Sequence, residues 1–187
     1  PCRVHKLELV APDVMVISLK LPTNQRLQFL AGQYIDILLK DGKRRSFSLA
    51  NAPHDDEYLE LHARNYPGGV FTEHVFTNMK VKDMLRFTGP LGSFFLRDTP
   101  EECSIIFLAS GTGFAPIKSI LEHVFHQEGG RHRKRNMTLY WGARTKSDLY
   151  LADLADKWQR EHDNFTFIPV LSEPLPSDNW QGRTGLV

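Results

Sequence analysis

Residues 104–126 read SIIFLASGTGFAPIKSILEHVFH, which is a strand pattern that runs straight into a helix pattern. Ser104 to Ala109 form the continuous apolar run that is typical of a buried strand in a parallel sheet. Gly111 to Gly113 predict a turn, and Ala115 to His126 carry apolar residues at helical spacing, with Pro116 in the first turn. A buried strand followed by a turn and a helix predicts the first half of a parallel α/β unit.

The residues that follow repeat the same alternation. Met137 to Trp141 predict a second strand, Asp148 to Arg160 a second helix, and Phe165 to Val170 a third strand. Strand–helix–strand–helix–strand is the pattern of a parallel α/β domain. The pattern breaks at Asp98 to Pro100, so we expect this domain to occupy residues 99–187.

Residues 1–98 read instead as an antiparallel β-barrel, because several short strand patterns alternate with turn signals at close spacing. Asp41-Gly42 is one such signal, and it predicts a hairpin. One short helix is predicted over Val70 to Met79, after Gly68-Gly69. The predicted strands are Val14–Leu21, Gln33–Leu39, Arg45–Ala50, Tyr58–Arg64 and Lys82–Phe87. We therefore predict two domains, a β-barrel followed by a parallel α/β domain that is incomplete at its C-terminus.

The composition excludes several functional classes. Lys and Arg total 23 against 22 for Asp and Glu, and this balance gives no reason to expect nucleic acid or an anionic membrane as partner. The longest apolar runs, such as Ile105 to Ala109, are too short to span a bilayer. Two cysteines, Cys2 and Cys103, exclude a disulfide framework and thiolate metal sites. They suit a reducing cytoplasm.

Two glycine motifs could hold phosphates. Gly111-Thr112-Gly113 follows a strand and opens a helix, so its backbone N–H groups could face a phosphate at close range. A tight turn without a ligand explains this motif about equally well, because Pro116 replaces the third glycine of the dinucleotide fingerprint. Pro67-Gly68-Gly69 also leads into a helix, and a flexible turn is the alternative interpretation there.

A third motif, Arg44-Arg45-Ser46-Phe47-Ser48, lies in a predicted strand. Arg45 and Phe47 share one face of that strand, while Ser46 and Ser48 share the other. Arginine suits a phosphate, and a planar ring suits a heteroaromatic group. Taken alone, the motif is also compatible with an ordinary strand that carries a surface arginine.

In this order and at this spacing, the motifs resemble those of the ferredoxin–NADP reductase-like superfamily of flavoprotein reductases. Arg45–Ser48 resembles its Arg-x-Tyr-Ser flavin motif, Gly68–Thr72 its Gly-Gly-x-x-Ser/Thr phosphate motif, and Gly111–Pro116 its Gly-Thr-Gly-x-Ala-Pro nucleotide motif. Tyr140–Arg144, followed by Asp148–Tyr150, resembles the strand and loop beside the nucleotide. The likeness covers essentially the whole chain, and it is nearest to flavin reductases and to reductase components of ring hydroxylases and CDP-deoxysugar enzymes.

The resemblance implies hydride transfer from NADH or NADPH to a bound flavin, with FAD favoured over FMN by the two phosphate-type motifs. It implies that Arg45 binds the flavin phosphate, that Phe47 packs on the ring, and that Ser48 is the catalytic residue beside the reactive nitrogen. The implied flavin-binding set is Arg45, Ser46, Phe47, Ser48, His62, Arg64, Gly68, Gly69, Val70, Phe71 and Thr72. The implied NAD(P)-binding set is Gly111, Thr112, Gly113, Ala115, Pro116, Gly142 and Arg144. No metal site is implied.

Two departures from the family pattern matter. Phe47 lacks the hydroxyl of the commoner tyrosine, so stacking is retained and one hydrogen bond is lost. The chain opens at Pro1 and stops at Val187, before the family's final segment, which contains a Cys-Gly motif at the nicotinamide site. We therefore expect a fragment of a longer protein, one that binds flavin well and reduces it poorly.

The first functional hypothesis is an FAD-containing, NAD(P)H-dependent reductase that passes electrons to an iron–sulfur protein or to a fused ferredoxin-like domain. A free-flavin reductase, for which flavin is a substrate that leaves, is the first alternative. A truncated nucleotide-binding module without turnover is the second. The choice between NADH and NADPH, the electron acceptor and the oligomeric state stay open at this point.

Overall fold

The computed structural model describes all 187 residues, which form ten strands and three α-helices. Residues 1–96 and 115–126 form one compact unit, and residues 97–114 and 127–187 form a second. No helix combines the length and the apolar character that a membrane span requires.

The first unit is built on a six-stranded antiparallel sheet. Its strands are β1 (Cys2–Ala11), β2 (Val14–Lys20), β3 (Tyr34–Leu38), β4 (Arg44–Ser48), β5 (Leu59–Arg64) and β6 (Met84–Leu91). They lie in the order β4-β3-β6-β1-β2-β5, and a bridge between Leu49 and Leu61 joins the two edges. The sheet therefore closes into the predicted barrel.

Alternation along the strands fills the interior of this barrel. Ile17 of β2 lies opposite Leu61 of β5, and neither side chain is exposed. Ile35 and Ile37 of β3 are buried in the same way, because every second side chain of a strand points to the core. Two helices belong to this unit, α1 (Val70–Thr77) and α2 (Phe114–His126), the latter from residue 115 onward.

The strand β1 escaped the sequence analysis. Register shifts between Val4 and Lys6, and again between Leu9 and Ala11, interrupt its alternation. Each irregularity of this kind moves the apolar positions out of the period of two that marks a strand. β1 is therefore a paired strand whose sequence lacks the regular alternation of apolar and polar residues.

The second unit is a parallel sheet with the order β10-β9-β8-β7. Its strands are β7 (Ile105–Ser110), β8 (Met137–Ala143), β9 (Phe165–Leu171) and β10 (Arg183–Thr184), and its helix is α3 (Ala152–Glu161). The predicted parallel arrangement is confirmed. Within residues 1–187, β7 is an edge strand with Ile106 and Leu108 each 65% exposed, so the burial predicted for Ser104 to Ala109 is not observed there.

Candidate functional site

The glycine turn after β7 is a short 3-10 helix over Gly111–Gly113. Gly111 has a φ of 56°, in the left-handed region that favours glycine. The indole Nε1–H of Trp141 donates a hydrogen bond of 3.0 Å to the carbonyl of Gly111. The Trp141 ring also stacks on Phe114, with centroids 4.0 Å apart, and both residues are buried. A buried aromatic pair therefore sets the shape of this turn.

The glycine turn after β7 and the end of β8 lie next to each other at one edge of the sheet. Ser110 lies opposite Gly142 in the parallel register, so Gly111 and Gly142 lie at the same carboxyl edge. Ligands of open α/β sheets bind at that edge. Space is open at Gly113, where an added Cβ would meet nothing within 4 Å. Gly142 is covered instead, since a Cβ there would lie 3.0 Å from Cγ2 of Val187.

The remaining residues of the predicted nucleotide-binding set differ in their exposure to solvent. Arg144 is exposed, and its backbone carbonyl accepts a hydrogen bond from the N–H of Glu173. Ala115 is buried and Pro116 is half-buried, and both lie in the first turn of the helix α2. The start of α2 has no side-chain cap, but the N–H of Phe114 donates to the carbonyls of Gly111 and Thr112, and Pro116 has no N–H. Backbone donors for a phosphate would therefore come from the turn over Gly111–Gly113, which also has no side-chain cap.

Strand β4 presents the predicted flavin residues on two faces. The Phe47 ring lies 5.5 Å from the ring of Phe71, on the side of the core. The hydroxyl of Ser46 donates a hydrogen bond of 2.6 Å to Asp36, so its donor is already used within the protein. Arg45 is half-buried, and its guanidinium donates to the carbonyl of Arg44.

The Gly68-Gly69 turn leads into α1 without a side-chain cap. Gly68 has a φ of 79°, with nothing within 4 Å of an added Cβ. A Cβ on Gly69 would lie 2.5 Å from the hydroxyl oxygen of Thr72, which donates to the carbonyl of Gly69. No side chain caps α1, so the N–H groups of residues 70–72 have no side-chain acceptor at its N-terminus. We call Gly68, Gly69 and residues 70–72 the cradle, because backbone N–H groups without a side-chain acceptor at a helix N-terminus are chemically suited to an anion.

Two neighbours of this cradle were missed by the sequence analysis. Tyr66, directly before Pro67-Gly68-Gly69, is 60% exposed. The side-chain oxygen Oδ1 of Asn65 is buried and has no hydrogen-bond partner within the protein. The exposed ring of Tyr66 offers a stacking surface to an aromatic group of a ligand. The buried Oδ1 of Asn65 is an acceptor and does not bind an anion. The signal available in the sequence was the aromatic residue that precedes Pro67-Gly68-Gly69.

On β5 the two predicted side chains have partners within the protein. Arg64 forms an ion pair of 2.9 Å with Asp13. The side chain of His62 has no exposed surface, and its Nε2 lies 2.7 Å from Oε1 of Glu60. Any contribution of His62 to a flavin site would therefore come from its backbone.

Glu60 and His62 belong to a buried polar group that we call the Lys118 cluster, formed by Glu60, His62, Lys118 and Glu122. The ammonium of Lys118 lies 3.3 Å from Oε1 of Glu60 and 3.2 Å from Oε1 of Glu122. It also donates to the carbonyl of Ala50 at 3.4 Å. The Lys118 side chain is only 9% exposed, whereas those of Glu60 and Glu122 are 25% and 28% exposed, so solvent reaches the carboxylates more than the ammonium.

The titration of these groups follows from their surroundings. Burial alone would raise the pKa of Glu60, but the hydrogen bond with His62 and the charge of Lys118 outweigh it and lower the pKa to about 2. Burial lowers the pKa of His62, and it raises the pKa of Glu122. Because an ionised Glu60 can only accept, the neutral His62 carries its proton on Nε2.

Comparison with known proteins fits this geometry. The family described as "Oxidoreductase FAD-binding domain" matches residues 1–96, and "Oxidoreductase NAD-binding domain" matches residues 107–187. The chain is 40% identical to CDP-6-deoxy-L-threo-D-glycero-4-hexulose-3-dehydrase reductase of Yersinia pseudotuberculosis, over 100% of this chain and 54% of that protein. It is also 40% identical to the terephthalate 1,2-dioxygenase reductase component 2 of Comamonas sp., over 97% of this chain and 53% of that protein.

A solved structure shows the same fold. The cytochrome P450 reductase GcoB of Amycolatopsis superposes with a TM-score of 0.87 at 34% identity, over 99% of this chain and 54% of that one. The chain therefore spans about half the length of these relatives. The two-domain fold and the cofactors expected from the sequence, FAD and NAD(P)H, are confirmed. The two family matches agree with the antiparallel barrel and the parallel sheet of the structure. The chain therefore belongs to the family of oxidoreductases that carry this FAD-binding domain.

Proposed function

We propose that this chain is the flavin- and nucleotide-binding part of a reductase that takes electrons from NADH or NADPH and passes them on through FAD. The observation that carries the proposal is the pair of uncapped glycine turns, one before α1 and one before α2. Each offers backbone N–H groups to a phosphate, and each belongs to a different one of the two matched domains. We place the boundary between those domains at residues 98 and 99.

The residues around the cradle fit FAD. The N–H groups of residues 70–72 and the guanidinium of Arg45 would hold its diphosphate, through charge-assisted hydrogen bonds. Phe47 would pack on the isoalloxazine, Ser48 would donate beside its reactive nitrogen, and the exposed ring of Tyr66 would offer a stacking surface to the adenine. FAD, when bound, accepts a hydride from a nicotinamide and gives up electrons singly.

Gly111–Gly113 and Arg144 would hold the nicotinamide nucleotide, whereas Gly142 is left out of the proposed site because Val187 covers it. The exposed guanidinium of Arg144 suits a ribose or a phosphate. The relatives named above are reductases or reductase components of larger systems. By analogy we propose an iron–sulfur protein, or a fused ferredoxin-like domain, as the electron acceptor. The free thiols Cys2 and Cys103 favour a reducing cytoplasm as its compartment.

The test is the visible absorbance spectrum of the desalted protein. A flavin spectrum that persists, and that bleaches when NADH or NADPH is added without oxygen, would support the proposal. Arg45→Ala should lower the retained flavin, while Arg26→Ala, which removes an exposed arginine elsewhere on the barrel, should not. Protein that neither retains FAD nor rebinds added FAD would refute it.

A free-flavin reductase is the second candidate, because Phe47 lacks the hydroxyl that would add a hydrogen bond to bound flavin. It predicts colourless protein after desalting together with steady NAD(P)H oxidation when free flavin is supplied. The same preparation therefore distinguishes the two functions.

A further inference from the structure

Two loops follow the carboxyl ends of β8 and β9 in the parallel sheet. The N–H of Ser172 donates to the carbonyl of Ala143 at 2.9 Å. The N–H of Glu173 donates to the carbonyl of Arg144, also at 2.9 Å. The pairing of β8 with β9 thus continues to Arg144 and holds its backbone on one side. The direction that its exposed side chain takes depends on the residues that follow it.

The residues after Arg144 form a turn with hydrogen bonds of its own. Residues 146–148 are a short 3-10 helix, and the N–H of Thr145 donates to the carboxylate of Asp148 at 3.2 Å. The N–H of Asp148 donates in return to the carbonyl of Thr145 at 3.1 Å. We call these residues the 145–148 turn. Because the turn is closed within itself, a contact outside it is needed to fix its orientation.

The carboxylate of Asp178 supplies such a contact. Its Oδ2 accepts the N–H of Lys146 at 3.2 Å and the N–H of Leu175 at 2.9 Å. Lys146 lies in the 145–148 turn, 32 residues before Asp178, whereas Leu175 lies in the loop after β9. One carboxylate oxygen therefore joins the two loops, through hydrogen bonds that its negative charge strengthens.

The loop that carries Asp178 has little conformational freedom. Pro174 and Pro176 each restrict the φ angle of the chain. Pro176 starts a 3-10 helix that ends at Asp178, and the N–H of Asp178 donates to the carbonyl of Leu175 at 2.9 Å. A carboxylate on such a stiff loop can hold its partner in one place, as supporting residues around a binding site must do.

We propose that Asp178 is a positioning residue, whose carboxylate holds the 145–148 turn and thereby directs the guanidinium of Arg144 towards the nucleotide. The proposal rests on the proposed function, because Arg144 has a ligand only if a nicotinamide nucleotide binds there. Asp178 touches no ligand itself. The bond to Lys146 distinguishes this role from a local cap of its own loop, which would need only the N–H of Leu175.

The test measures Kd for NAD+ and for NADP+ by titration calorimetry in the full chain with oxidised FAD, where these nucleotides bind without hydride transfer. It compares Asp178→Ala with Asp178→Asn. Asparagine keeps one side-chain carbonyl oxygen, which can accept both N–H groups and carries no charge. Asp83→Ala is the matched control, since Asp83 also accepts the N–H of the residue three positions earlier at 2.9 Å, but on the barrel.

For Asp178→Ala we expect the Kd of the tighter-binding nucleotide to rise at least about fivefold, because Arg144 is no longer directed at its ligand. Asp178→Asn and Asp83→Ala should each leave Kd within about twofold of the unsubstituted protein. Arg144→Ala should raise Kd at least as much as Asp178→Ala does. Adding Asp178→Ala to Arg144→Ala should change Kd by less than about twofold, since the two residues act as one unit.

A backbone substitution tests the same hydrogen bond from its donor side. Lys146→Pro removes the N–H that Asp178 accepts, and proline is accepted at the first position of a helix. Thr145 has a φ of −122° and a ψ of 166°, an extended conformation that suits the residue before a proline. Lys146→Ala keeps the N–H and loses the ammonium, so it is the reference. We expect Kd to be about fivefold higher for Lys146→Pro than for Lys146→Ala.

The outcomes separate this proposal from the proposed function. If the unsubstituted protein binds neither nucleotide, or if Arg144→Ala leaves Kd unchanged, the proposed role of Arg144 fails and that of Asp178 fails with it. If Arg144→Ala raises Kd and Asp178→Ala does not, the positioning role alone is refuted. An equal effect of Asp178→Ala with and without Arg144 would also overturn it. If Asp178→Ala does not fold, the comparison of the two Lys146 variants decides.

Discussion

Replacing Trp141 by phenylalanine tests how the glycine turn is held. The substitution keeps a ring that can stack on Phe114, and it removes the Nε1–H that donates to the carbonyl of Gly111 at 3.0 Å. Losing one hydrogen bond to a carbonyl costs about 1 kcal/mol. The lost second ring adds about 1–2 kcal/mol, because emptied core volume costs roughly 24 cal/mol per Å3. We therefore expect the free energy of unfolding to fall by about 2–3 kcal/mol.

We also expect Trp141→Phe to weaken nucleotide binding by more than its loss of stability explains. If the bond fixes the turn for nucleotide binding, its loss of about 1 kcal/mol corresponds to a roughly fivefold rise in Kd for NADH or NADPH. Nicotinamide fluorescence gives the Kd, and urea unfolding gives the stability. Trp158→Phe is the control, since Trp158 is also buried among aromatic rings but lies on α3. Equal rises in Kd for the two variants, or none for Trp141→Phe, would refute the reasoning.

Three further predictions concern the barrel unit. Gly69→Ala places a Cβ 2.5 Å from the Thr72 hydroxyl oxygen, so flavin retention measured after gel filtration should fall at least several-fold. Gly42→Ala strains a different turn, the hairpin between β3 and β4, where Gly42 has a φ of 80°, and it should keep the flavin. Ser119→Ala removes a buried hydrogen bond and should lower the free energy of unfolding in urea by about 1–2 kcal/mol; a change near zero would contradict it. The depressed pKa of Glu60 adds stability that is present above pH 4.5 and is lost as the pH falls towards 2, so Glu60→Gln should flatten the stability measured by urea unfolding across that range.

The elements with regular patterns were predictable from sequence, and those set by distant partners were not. The helix α2 has apolar residues at helical spacing, and this spacing predicts the helix from the sequence alone. Lys118 on that helix reads as a surface lysine, because its partner Glu60 is 58 residues away in sequence. Only the closed barrel brings the two together.

Strand and site residues also differ in whether a local sequence pattern or a distant partner determines them. Bulges hide β1, because they shift its alternation within the strand itself. Ser46 matched a flavin motif, but the cross-strand register pairs it with Asp36, a contact that no local pattern contains. Phe47 followed the pattern, since the alternation of β4 directs its ring towards the side of Phe71.

The edge position of β7 affects how residues 1–187 behave when they are produced alone. A strand at a sheet edge offers unpaired N–H and C=O groups, and Ile106 and Leu108 add an apolar strip beside them. Another chain can pair with such an edge, so we expect self-association that grows with protein concentration in sedimentation velocity. Leu108→Lys should suppress it by placing a charge on the strip. Assays of flavin or nucleotide binding are therefore best run dilute, where one chain meets few others.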